Sequence, residues 1–383
     1  MEIKNQVVFI ISYEDWGNML MSKHHYAIEL TKRGNLVYFI NHPDRIRKLK
    51  RGEIRVENTN VKNLFSIRHR LPHPYFLIFK MRWLYEFLTK YHIRRLKKKI
   101  GKVPDLVWSF DSGNTIPLKF FPEASYRIYM PVDGPFFVPE EIFSAEKADI
   151  IFSVTKDILS RYDQIPAPGF LLSHGVGTAF VKNGPIGKIN SNPIRVGYAG
   201  SLLRDDLDMA ILRKIILAHP AIMFEFWGEN VPGASSIHRE HDVSEENKSF
   251  LNFLKSSPNV ITHGAVNPET LAEGLSRMDV LLIAYQVKDA QNSHKVLEYL
   301  GSGKVIVSTY LGAYSDKPNL LEMVALGEGQ QAFADLFERV VAQLELYNSV
   351  ENQTFRINYA RQFTYSSQVE KIERLISENI EKK

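Results

Sequence analysis

Residues 291–308, QNSHKVLEYLGSGKVIVS, carry side chains that could bind a diphosphate. Asn292 or Ser293 can cap a helix here, and Lys295 lies in its first turn, where the helix dipole disfavours a cation unless an anion binds. Helix N-terminal N–H groups together with a lysine form a good diphosphate site. His294, Lys295 and Glu298 share one face because they are three and four residues apart, so Glu298 could accept hydrogen bonds from a ribose diol. From spacing alone, a solvated Lys–Glu pair on an ordinary helix is the simpler interpretation.

A glycine turn around Gly200 is a second candidate phosphate site. Gly200 and Ser201 lie between an apolar stretch and a helical pattern, and such a turn presents backbone N–H groups to phosphate. Arg204 would add a positive charge, although a plain tight turn is the alternative. We interpret Asp206 and Asp208 as helix caps rather than metal ligands, because aspartates are favoured at a helix N-terminus.

The loop after the first apolar stretch carries candidate groups for an acceptor. Loops at the carboxyl ends of the strands hold ligands in open α/β sheets. Gly17 would permit close approach of a diphosphate, and Asp15 is a candidate general base for an acceptor hydroxyl. Asp111 and Asp133 also follow apolar stretches and are alternative bases. Each carboxylate taken alone is better explained by a turn or a helix cap.

Two histidines, His24 and His25, open the helix that follows this loop. We assign both, together with Asp111, to the acceptor side of the site. The alternative for at least one histidine is a polar surface position.

The hydrophobic pattern predicts the elements that must position these residues. Short apolar runs alternate with helical periodicity, which is typical of parallel sheets with helices between the strands. The predicted strands are residues 7–11, 36–40, 106–110, 127–131, 150–154, 194–198, 223–227, 260–263, 280–284 and 305–308. Polar residues 183–192 are the predicted linker. We therefore expect an N-terminal domain of residues 1–178 and a C-terminal domain of residues 190–363.

Composition restricts the class of protein. With 383 residues, of which 44% are hydrophobic and 24% charged, the chain is long enough for two globular domains. It has no cysteine, which excludes disulfides, thiolate metal sites and a cysteine nucleophile. The N-terminus lacks a cleavable signal pattern, and no stretch approaches the roughly 20 apolar residues of a membrane span. We therefore expect a cytoplasmic protein.

Positive charge is concentrated in one part of the chain. Residues 45–102 contain 18 Lys and Arg but three acidic residues, a net charge of +15 against −10 for the rest. An anionic partner is therefore expected near the first domain. Residues 72–99 are also rich in aromatics and could dock on the inner face of an anionic membrane. Buried aromatics beside a solvated cationic face, or a nucleic-acid groove, are the alternatives; we favour a membrane or a lipid-linked acceptor and expect no nucleic acid.

Several segments resemble known motifs in the right order along the chain. Residues 295–308 resemble the donor-site motif of group 1 (family 4) GT-B glycosyltransferases, with Lys295 and Glu298 at its lysine and glutamate positions. The other segments that resemble the family are 173–180 (SHGVGTAF), 196–208 (VGYAGSLLRDDLD) and 363–375 (FTYSSQVEKIERL). Residues 11–33 and 129–134 (YMPVDG) resemble bacterial cell-surface polysaccharide transferases of the teichuronic-acid type.

This resemblance implies an α/β protein of the GT-B fold. Two Rossmann-like, doubly wound domains would face each other across a cleft, and a C-terminal helix within residues 364–383 would cross back to the first. The implied activity is hexosyltransferase-like transfer from a UDP- or GDP-sugar to a glycan or lipid-linked acceptor in cell-surface polysaccharide synthesis, with retention of configuration. Gly200, Lys295 and the helix N-terminus would hold the diphosphate, and Glu298 the ribose. No cofactor and no obligatory metal are implied.

The chain departs from the family pattern at three positions. Ala290 stands eight residues before Glu298, where the family often has a glutamate that helps to hold the donor sugar. Gly177 and His174 replace the usual Asp and Asn. Three alternatives stay open: a sugar-nucleotide epimerase of the same fold, a catalytically degenerate homologue, and a non-catalytic protein that binds a membrane or nucleic acid.

Overall fold

The computed structural model describes residues 2–17, 20–44, 48–113, 115–132, 142–183, 192–204, 206–230, 244–286 and 294–380. The chain divides into two units. The first comprises Met1–His174 together with Tyr365–Lys383, and the second comprises Gly175–Thr364. Each unit is built on one sheet, of eight strands in the first and six in the second.

In the first unit all but one of the neighbouring strand pairs are parallel. Its strands are β1 (Val7–Ile11), β2 (Leu36–Ile40), β3 (Ile54–Asn58), β4 (Leu64–His69), β5 (Leu106–Ser109), β6 (Tyr126–Tyr129), β7 (Ile150–Ser153) and β8 (Gly169–Leu171). They lie in the order β3-β4-β2-β1-β5-β6-β7-β8, with only β3 and β4 antiparallel. Its helices up to residue 160 are α1 (Ser22–Lys32), α2 (Leu77–Lys80), α3 (Arg82–Ile100) and α4 (Lys156–Ser160).

The second unit has the strand order of a doubly wound nucleotide-binding sheet. Its strands are β9 (Arg195–Ala199), β10 (Met223–Trp227), β11 (Val260–Gly264), β12 (Val280–Ile283), β13 (Val305–Ser308) and β14 (Glu322–Met323). Its helices are α5 (Met209–Ala218), α6 (Glu245–Ser256), α7 (Pro268–Ser276), α8 (His294–Ser302), α9 (Gln330–Ala342), α10 (Leu344–Tyr347) and α11 (Val350–Arg361). The order β11-β10-β9-β12-β13-β14 reverses direction between β9 and β12, and ligands bind at such a switch point.

Local sequence explains most of these elements. The central strands are near-continuous apolar runs, and Val8, Phe9, Ile10 and Ile11 of β1 are 0% exposed, as strands covered on both faces require. Several helices begin at a residue whose side chain accepts a hydrogen bond from a backbone N–H of the first turn. These capping residues are Thr155, Asp208, Ser244, Asn267 and Ser349.

The hydrophobic pattern predicts some elements and misses others. The strands predicted at 7–11, 36–40, 223–227 and 305–308 are confirmed with the same bounds. No strand is predicted at β3 and β4, because charged residues such as Arg55 and Arg68 interrupt their apolar runs. These two strands form by pairing with each other, and β4 also pairs with β2. Their stability therefore comes from neighbours that the local pattern does not reveal.

Residues 175–178 belong to the second unit. The Val176 N–H donates to the Phe363 carbonyl at 2.8 Å, and Val176 is buried in the second core with Phe180. The division of the chain therefore falls directly after His174 and again directly after Thr364.

The last helix, α12 (Tyr365–Ile380), is part of the first unit. Its Glu373 carboxylate accepts a hydrogen bond from the Ile3 N–H at 2.5 Å and pairs with Arg33 at 2.7 Å. The α12 side chains that are 0% exposed in the first core are Val369, Ile372 and Ile376. Helix α12 thus completes the hydrophobic core of the first unit.

Replacing Ile372 by Ala should lower the free energy of unfolding by roughly 2–5 kcal/mol, because it leaves a cavity in the first core. The same substitution at Ile380, which is 48% exposed on the same helix, should cost less than about 1 kcal/mol. Denaturant unfolding followed by circular dichroism measures both. Equal losses for the two variants would show that α12 is not packed in this core.

Candidate functional site

The switch point of the second sheet brings three segments together. Gly200 follows β9, and Tyr285 follows β12. Lys295 lies in the first turn of α8, and its side chain reaches both Gly200 and Tyr285. Two of the predicted donor-binding residues, Gly200 and Lys295, are therefore in direct contact although 95 residues separate them in the chain.

The Lys295 ammonium lies directly against the glycine turn. Its Nζ is 5.7 Å from the centre of the Tyr198 ring and 6.0 Å from that of Tyr285. A β-carbon at Gly200 would collide with Nζ, so only glycine allows the cation to come so close to the backbone. No carboxylate in the described part of the chain forms an ion pair with Lys295. This cation is held by aromatic faces and is available to an anion.

A second glycine, Gly228, makes the turn possible. Its φ is +139°, and a β-carbon there would overlap the carbonyl group of Gly200. The Gly200 N–H donates to Trp227 at 2.7 Å, and the Gly228 N–H donates to Gly264 at 2.8 Å. The two turns after β9 and β10 therefore lock together by backbone contact. Nothing near Gly228 in the chain marks it as part of this turn, so the sequence does not predict its role.

Three tyrosines surround the same point. The Tyr299 hydroxyl accepts a hydrogen bond from the Ala199 N–H at 2.6 Å and so ties α8 to the end of β9. The Tyr198 and Tyr285 hydroxyls are buried and have no hydrogen-bond partner among the residues that the structure describes. Buried hydroxyls normally have partners. A polar ligand beside Lys295 would supply them.

Glu298 lies one turn after Lys295 in a desolvated position. Burial raises the pKa of its carboxyl from an ordinary 4.5 to about 7, and the Lys295 cation opposes this shift in part. With this pKa the carboxyl is partly protonated near neutral pH. Small changes in its surroundings therefore decide whether it is neutral or charged. Either form can bond a diol, because the acid donates and the carboxylate accepts.

Arg204 and Ser201 are close to the site but already occupied. The Arg204 guanidinium forms a bidentate pair with Asp206, at 2.7 and 2.5 Å, and stacks 4.7 Å over the Tyr285 ring. This pairing raises the pKa of Arg204 above its already high ordinary value. The Ser201 hydroxyl accepts a bond from the Leu203 N–H at 3.3 Å. Arg204 therefore brings less free charge than the sequence suggests.

The interpretation of Asp208 as a helix cap is confirmed, because its carboxylate accepts from the Ile211 N–H at 3.0 Å at the start of α5. Ser293 and Asp133 lie outside the described residues. His294 begins α8, but its side chain is also outside the described part.

In the first unit the equivalent switch point lies between β1 and β5. A pocket of about 50 Å³ lies beside the loop that follows β1, and its lining includes Asp15, Asp44, Lys48, Arg68 and His69. Asp15 keeps exposed surface there. Partial burial raises the pKa of its carboxyl, Arg68 lowers it, and Asp44 raises it further. The position suits a carboxylate that exchanges a proton.

His24 is a structural residue, which corrects its assignment to the acceptor side. It is 1% exposed, and its ring stacks on Phe39 at 4.9 Å. Burial lowers the pKa of the imidazole to about 4, so the ring is neutral. Nδ1 accepts from the Met21 N–H at 3.0 Å, and Nε2 donates to the Asp15 carbonyl at 3.0 Å. His24 therefore fixes the loop that carries Asp15 instead of facing a ligand.

Asp111 also proves to be structural. It is 0% exposed, and its carboxylate accepts bonds from the N–H groups of Gly113, Thr115 and Ile116 at 2.7 to 3.0 Å. Burial raises the pKa of this carboxyl, and the hydrogen bonds oppose that effect. Asp111 fixes the conformation of the loop after β5, and its carboxylate is not accessible to an acceptor.

The two remaining predicted residues of this unit are less constrained. His25 is half-buried and stacks on Tyr365 of α12 at 4.8 Å. Gly17 is exposed, and a β-carbon there would meet nothing within 4 Å. A residue with a larger side chain would therefore fit at position 17.

One buried ion pair in this unit is absent from the predictions. The Lys23 side chain is 2% exposed and pairs with Glu14 in the Asp15 loop. Lysine is rarely buried unless it is paired, so this contact fixes the loop to α1. The only signal in the sequence is a lysine beside two histidines, which favours a surface position instead.

No family model and no curated protein matches this chain. Solved structures do match it over nearly its whole length. A sucrose-phosphate synthase from Thermosynechococcus elongatus has a TM-score of 0.65 at 13% identity, covering 99% of this chain and 100% of that one. HepE of Anabaena, in complex with UDP and glucose, has a TM-score of 0.64 at 13% identity, covering 97% and 99%. An alpha,alpha-trehalose-phosphate synthase (UDP-forming) from Burkholderia vietnamiensis has 0.64 at 11% identity, covering 98% and 99%.

At such low identity these similarities show the fold. Together with the two sheets they confirm the predicted class, two Rossmann-like α/β domains of the GT-B type. In the described ranges no helix is both long and apolar enough to cross a membrane. Those ranges also contain no group of three or more His, Asp and Glu side chains placed to hold a metal ion.

The shifted pKa of Glu298 predicts a pH effect on stability. Between about pH 4.5 and pH 7 the folded protein binds a proton at Glu298 that the unfolded chain has lost, so this group's contribution to stability falls as pH rises. Relative to Glu298→Gln, wild-type protein should lose up to about 3 kcal/mol of unfolding free energy across this window. Denaturant titrations at several pH values measure the difference.

The matched control is Glu338→Gln on the exposed face of α9. A difference between wild type and Glu298→Gln that varies with pH no more than the difference for Glu338→Gln would show that the Glu298 carboxyl is not desolvated.

Proposed function

We propose that this protein is a glycosyltransferase that uses a nucleotide diphosphate sugar, UDP- or GDP-linked, as donor. One observation carries the proposal: the Lys295 ammonium lies against Gly200 at the switch point of a doubly wound sheet, and no carboxylate of the described residues forms an ion pair with it. HepE of Anabaena, which has the same fold, was solved with UDP and glucose, and this supports UDP as the nucleotide.

The arrangement suits a diphosphate in both charge and geometry. Backbone N–H groups at the N-terminus of α8 would donate to phosphate oxygens. The Gly200 turn would let the diphosphate approach closely, although its Gly200 and Leu202 N–H groups already donate to Trp227 and Glu229. Lys295 would pair with the same oxygens, and Glu298 would bond the ribose hydroxyls. The buried Tyr198 and Tyr285 hydroxyls would gain partners at the same time. Within the described residues, the Tyr198 and Tyr285 hydroxyls have no hydrogen-bond partner and Lys295 has no ion-paired carboxylate, so such a ligand would complete all three.

The same cation would act in the reaction itself. When the sugar–phosphate bond breaks, negative charge grows on the departing diphosphate. Lys295 is already in place to stabilise that charge, and no rearrangement is needed because the aromatic rings hold it. The proposal therefore requires no metal ion and no cofactor.

The first unit would supply the acceptor side. Asp15 would take the proton of the attacking hydroxyl, since its carboxylate lies in a pocket and its pKa is raised. Asp133 is the alternative base. The acceptor would be a glycan or a lipid-linked sugar in synthesis of a bacterial cell-surface polysaccharide of the teichuronic-acid kind. The protein would work in the cytoplasm, at the inner face of the membrane.

Changing Lys295 to Ala should weaken UDP binding by roughly 10- to 100-fold, the loss expected for a charge-assisted contact to phosphate. Isothermal titration calorimetry measures the affinity. Lys255→Ala removes an exposed lysine of the same unit and should bind UDP as wild type does. An unchanged affinity for Lys295→Ala, with wild type binding UDP, would remove Lys295 from the site.

The activity has its own test. Thermal-shift measurements against UDP, GDP, ADP and their sugars should show stabilisation by at least one nucleotide. The stabilising sugar nucleotide should then release its nucleoside diphosphate when a glycan or lipid-linked acceptor is added. Conversion of the donor to its epimer without release would identify an epimerase instead. Absence of any nucleotide effect would overturn the proposal.

A further inference from the structure

The outer face of helix α3 carries a row of aromatic side chains. Trp83, Phe87 and Tyr91 are 69%, 66% and 57% exposed, and their four-residue spacing places them on one face of the helix. The preceding helix α2 and its start add Phe76 and Phe79, each 53% exposed. An exposed aromatic row of this length is unusual on a protein surface and marks an interaction site.

These aromatics have no role in the core. The opposite face of α3 is the one that packs inward, through Tyr85, Thr89, Ile93 and Leu96. Residues at 83, 87 and 91 point about half a turn away from that buried face, since each residue advances about 100° around a helix. The row is therefore left for contact with something outside the first unit.

Three cations continue the same face. Lys90, Arg94 and Lys98 follow the aromatic row at three- and four-residue spacings, and all three are exposed. None of them forms an ion pair with an acidic side chain in the described ranges. In contrast, Arg82 and Lys97, on the flanks of the helix, pair with Glu86 and Glu123 at 3.1 and 2.6 Å. The three cations beside the aromatic row are thus free to contact an anionic partner.

We propose that this surface, residues 76–98 on the outer side of α2 and α3, docks the protein on an anionic lipid bilayer. Trp83, Phe87 and Tyr91 enter the interface, where amphipathic aromatic rings are favoured. Lys90, Arg94 and Lys98 contact the acidic headgroups. Most of the aromatics lie toward the N-terminal end of the surface and most of the cations toward its C-terminal end, so the helix lies obliquely with its N-terminal end deeper.

Other occupants fit this surface less well. A nucleic acid is bound by aromatics and cations that alternate along a charged groove. Here most of the exposed aromatics lie N-terminal to most of the exposed cations, with Lys80, between Phe79 and Trp83, as the exception. This order is closer to the apolar and charged layers of a bilayer. A second copy of the chain packed parallel would bring the same three cations face to face, where like charges repel, and an antiparallel pairing is tested below as a concentration-dependent dimer. The surface therefore fits a lipid boundary best.

This inference extends the proposed function by giving the acceptor side a physical location, but it does not depend on the donor site. Lys295→Ala should bind vesicles as wild type does. A surface variant should bind UDP as wild type does. Failure of one proposal therefore leaves the other standing.

The apolar contribution is tested with the full chain and vesicles of phosphatidylcholine containing phosphatidylglycerol. The double variant Trp83→Ser/Phe87→Ser should lose at least roughly tenfold in vesicle partitioning, measured by co-flotation, because it removes the inserted rings. Its matched control is Leu217→Ser/Leu346→Ser, which changes two apolar residues of the second unit that are 69% and 63% exposed. The control should partition as wild type does.

The charge contribution is tested by Lys90→Gln/Arg94→Gln/Lys98→Gln. This variant should lose the preference for anionic over pure phosphatidylcholine vesicles, by roughly 100-fold for three cations. Lys4→Gln/Lys62→Gln/Lys255→Gln removes the same charge at exposed positions elsewhere and should keep most of the preference. All four variants change exposed side chains, and their thermal unfolding should match wild type.

The proposal is overturned if wild type does not favour anionic vesicles, or if both surface variants bind them as wild type does. Tight binding of a single-stranded oligonucleotide that the same variants abolish, without vesicle binding, would assign the surface to nucleic acid. A concentration-dependent dimer lost in Trp83→Ser/Phe87→Ser, again without vesicle binding, would assign it to self-association.

Discussion

The contact between the Lys295 ammonium and the backbone at Gly200 is the constraint on which the rest of the second unit depends. A cation can lie there only if position 200 lacks a β-carbon, and the turn can close only if position 228 lacks one too. The end of β9 must in turn be fixed, which the Tyr299 hydroxyl does from α8. Sheet, turn and helix are therefore interlocked around one side chain.

An unpaired cation in the first turn of a helix is unfavourable by itself. The faces of Tyr198 and Tyr285 offset part of that cost, since an aromatic face attracts a cation. Two of the nearby hydroxyls are also buried and find no partner among the described residues, and a carboxyl is desolvated one turn away. Several unfavourable features at one point are typical of a site whose partner is a ligand, because folding alone would not retain them.

The sequence reveals part of this site and conceals the rest for physical reasons. Periodic apolar runs locate β1, β2, β10 and β13 because buried parallel strands need them. Lys295 and Glu298 are visible because helical spacing is local. Gly228 is invisible, because its need for glycine comes from the Gly200 carbonyl 28 residues earlier.

From the sequence alone, polar residues that form hydrogen bonds with the backbone are equally hard to distinguish from polar residues that bind a ligand. His24 and Asp111 have the residue types and positions of site residues, and only their burial and hydrogen bonds show what they do.

The charge distribution is also only partly interpretable from the sequence, and the structure shows which charges are paired. The net charge of residues 45–102 indicates an anionic partner but gives it no location. The structure pairs several of these cations internally: Arg55 with Glu53, Arg68 with Glu57, and Lys97 with Glu123. Such exposed pairs add little stability, but they reduce the charge that a distant anion meets. Lys90, Arg94 and Lys98, which form no ion pair in the described ranges, lie beside the exposed aromatics of α3. Free charge and exposed aromatic rings therefore meet on one helix, a combination that water alone would not favour but that a charged lipid interface would.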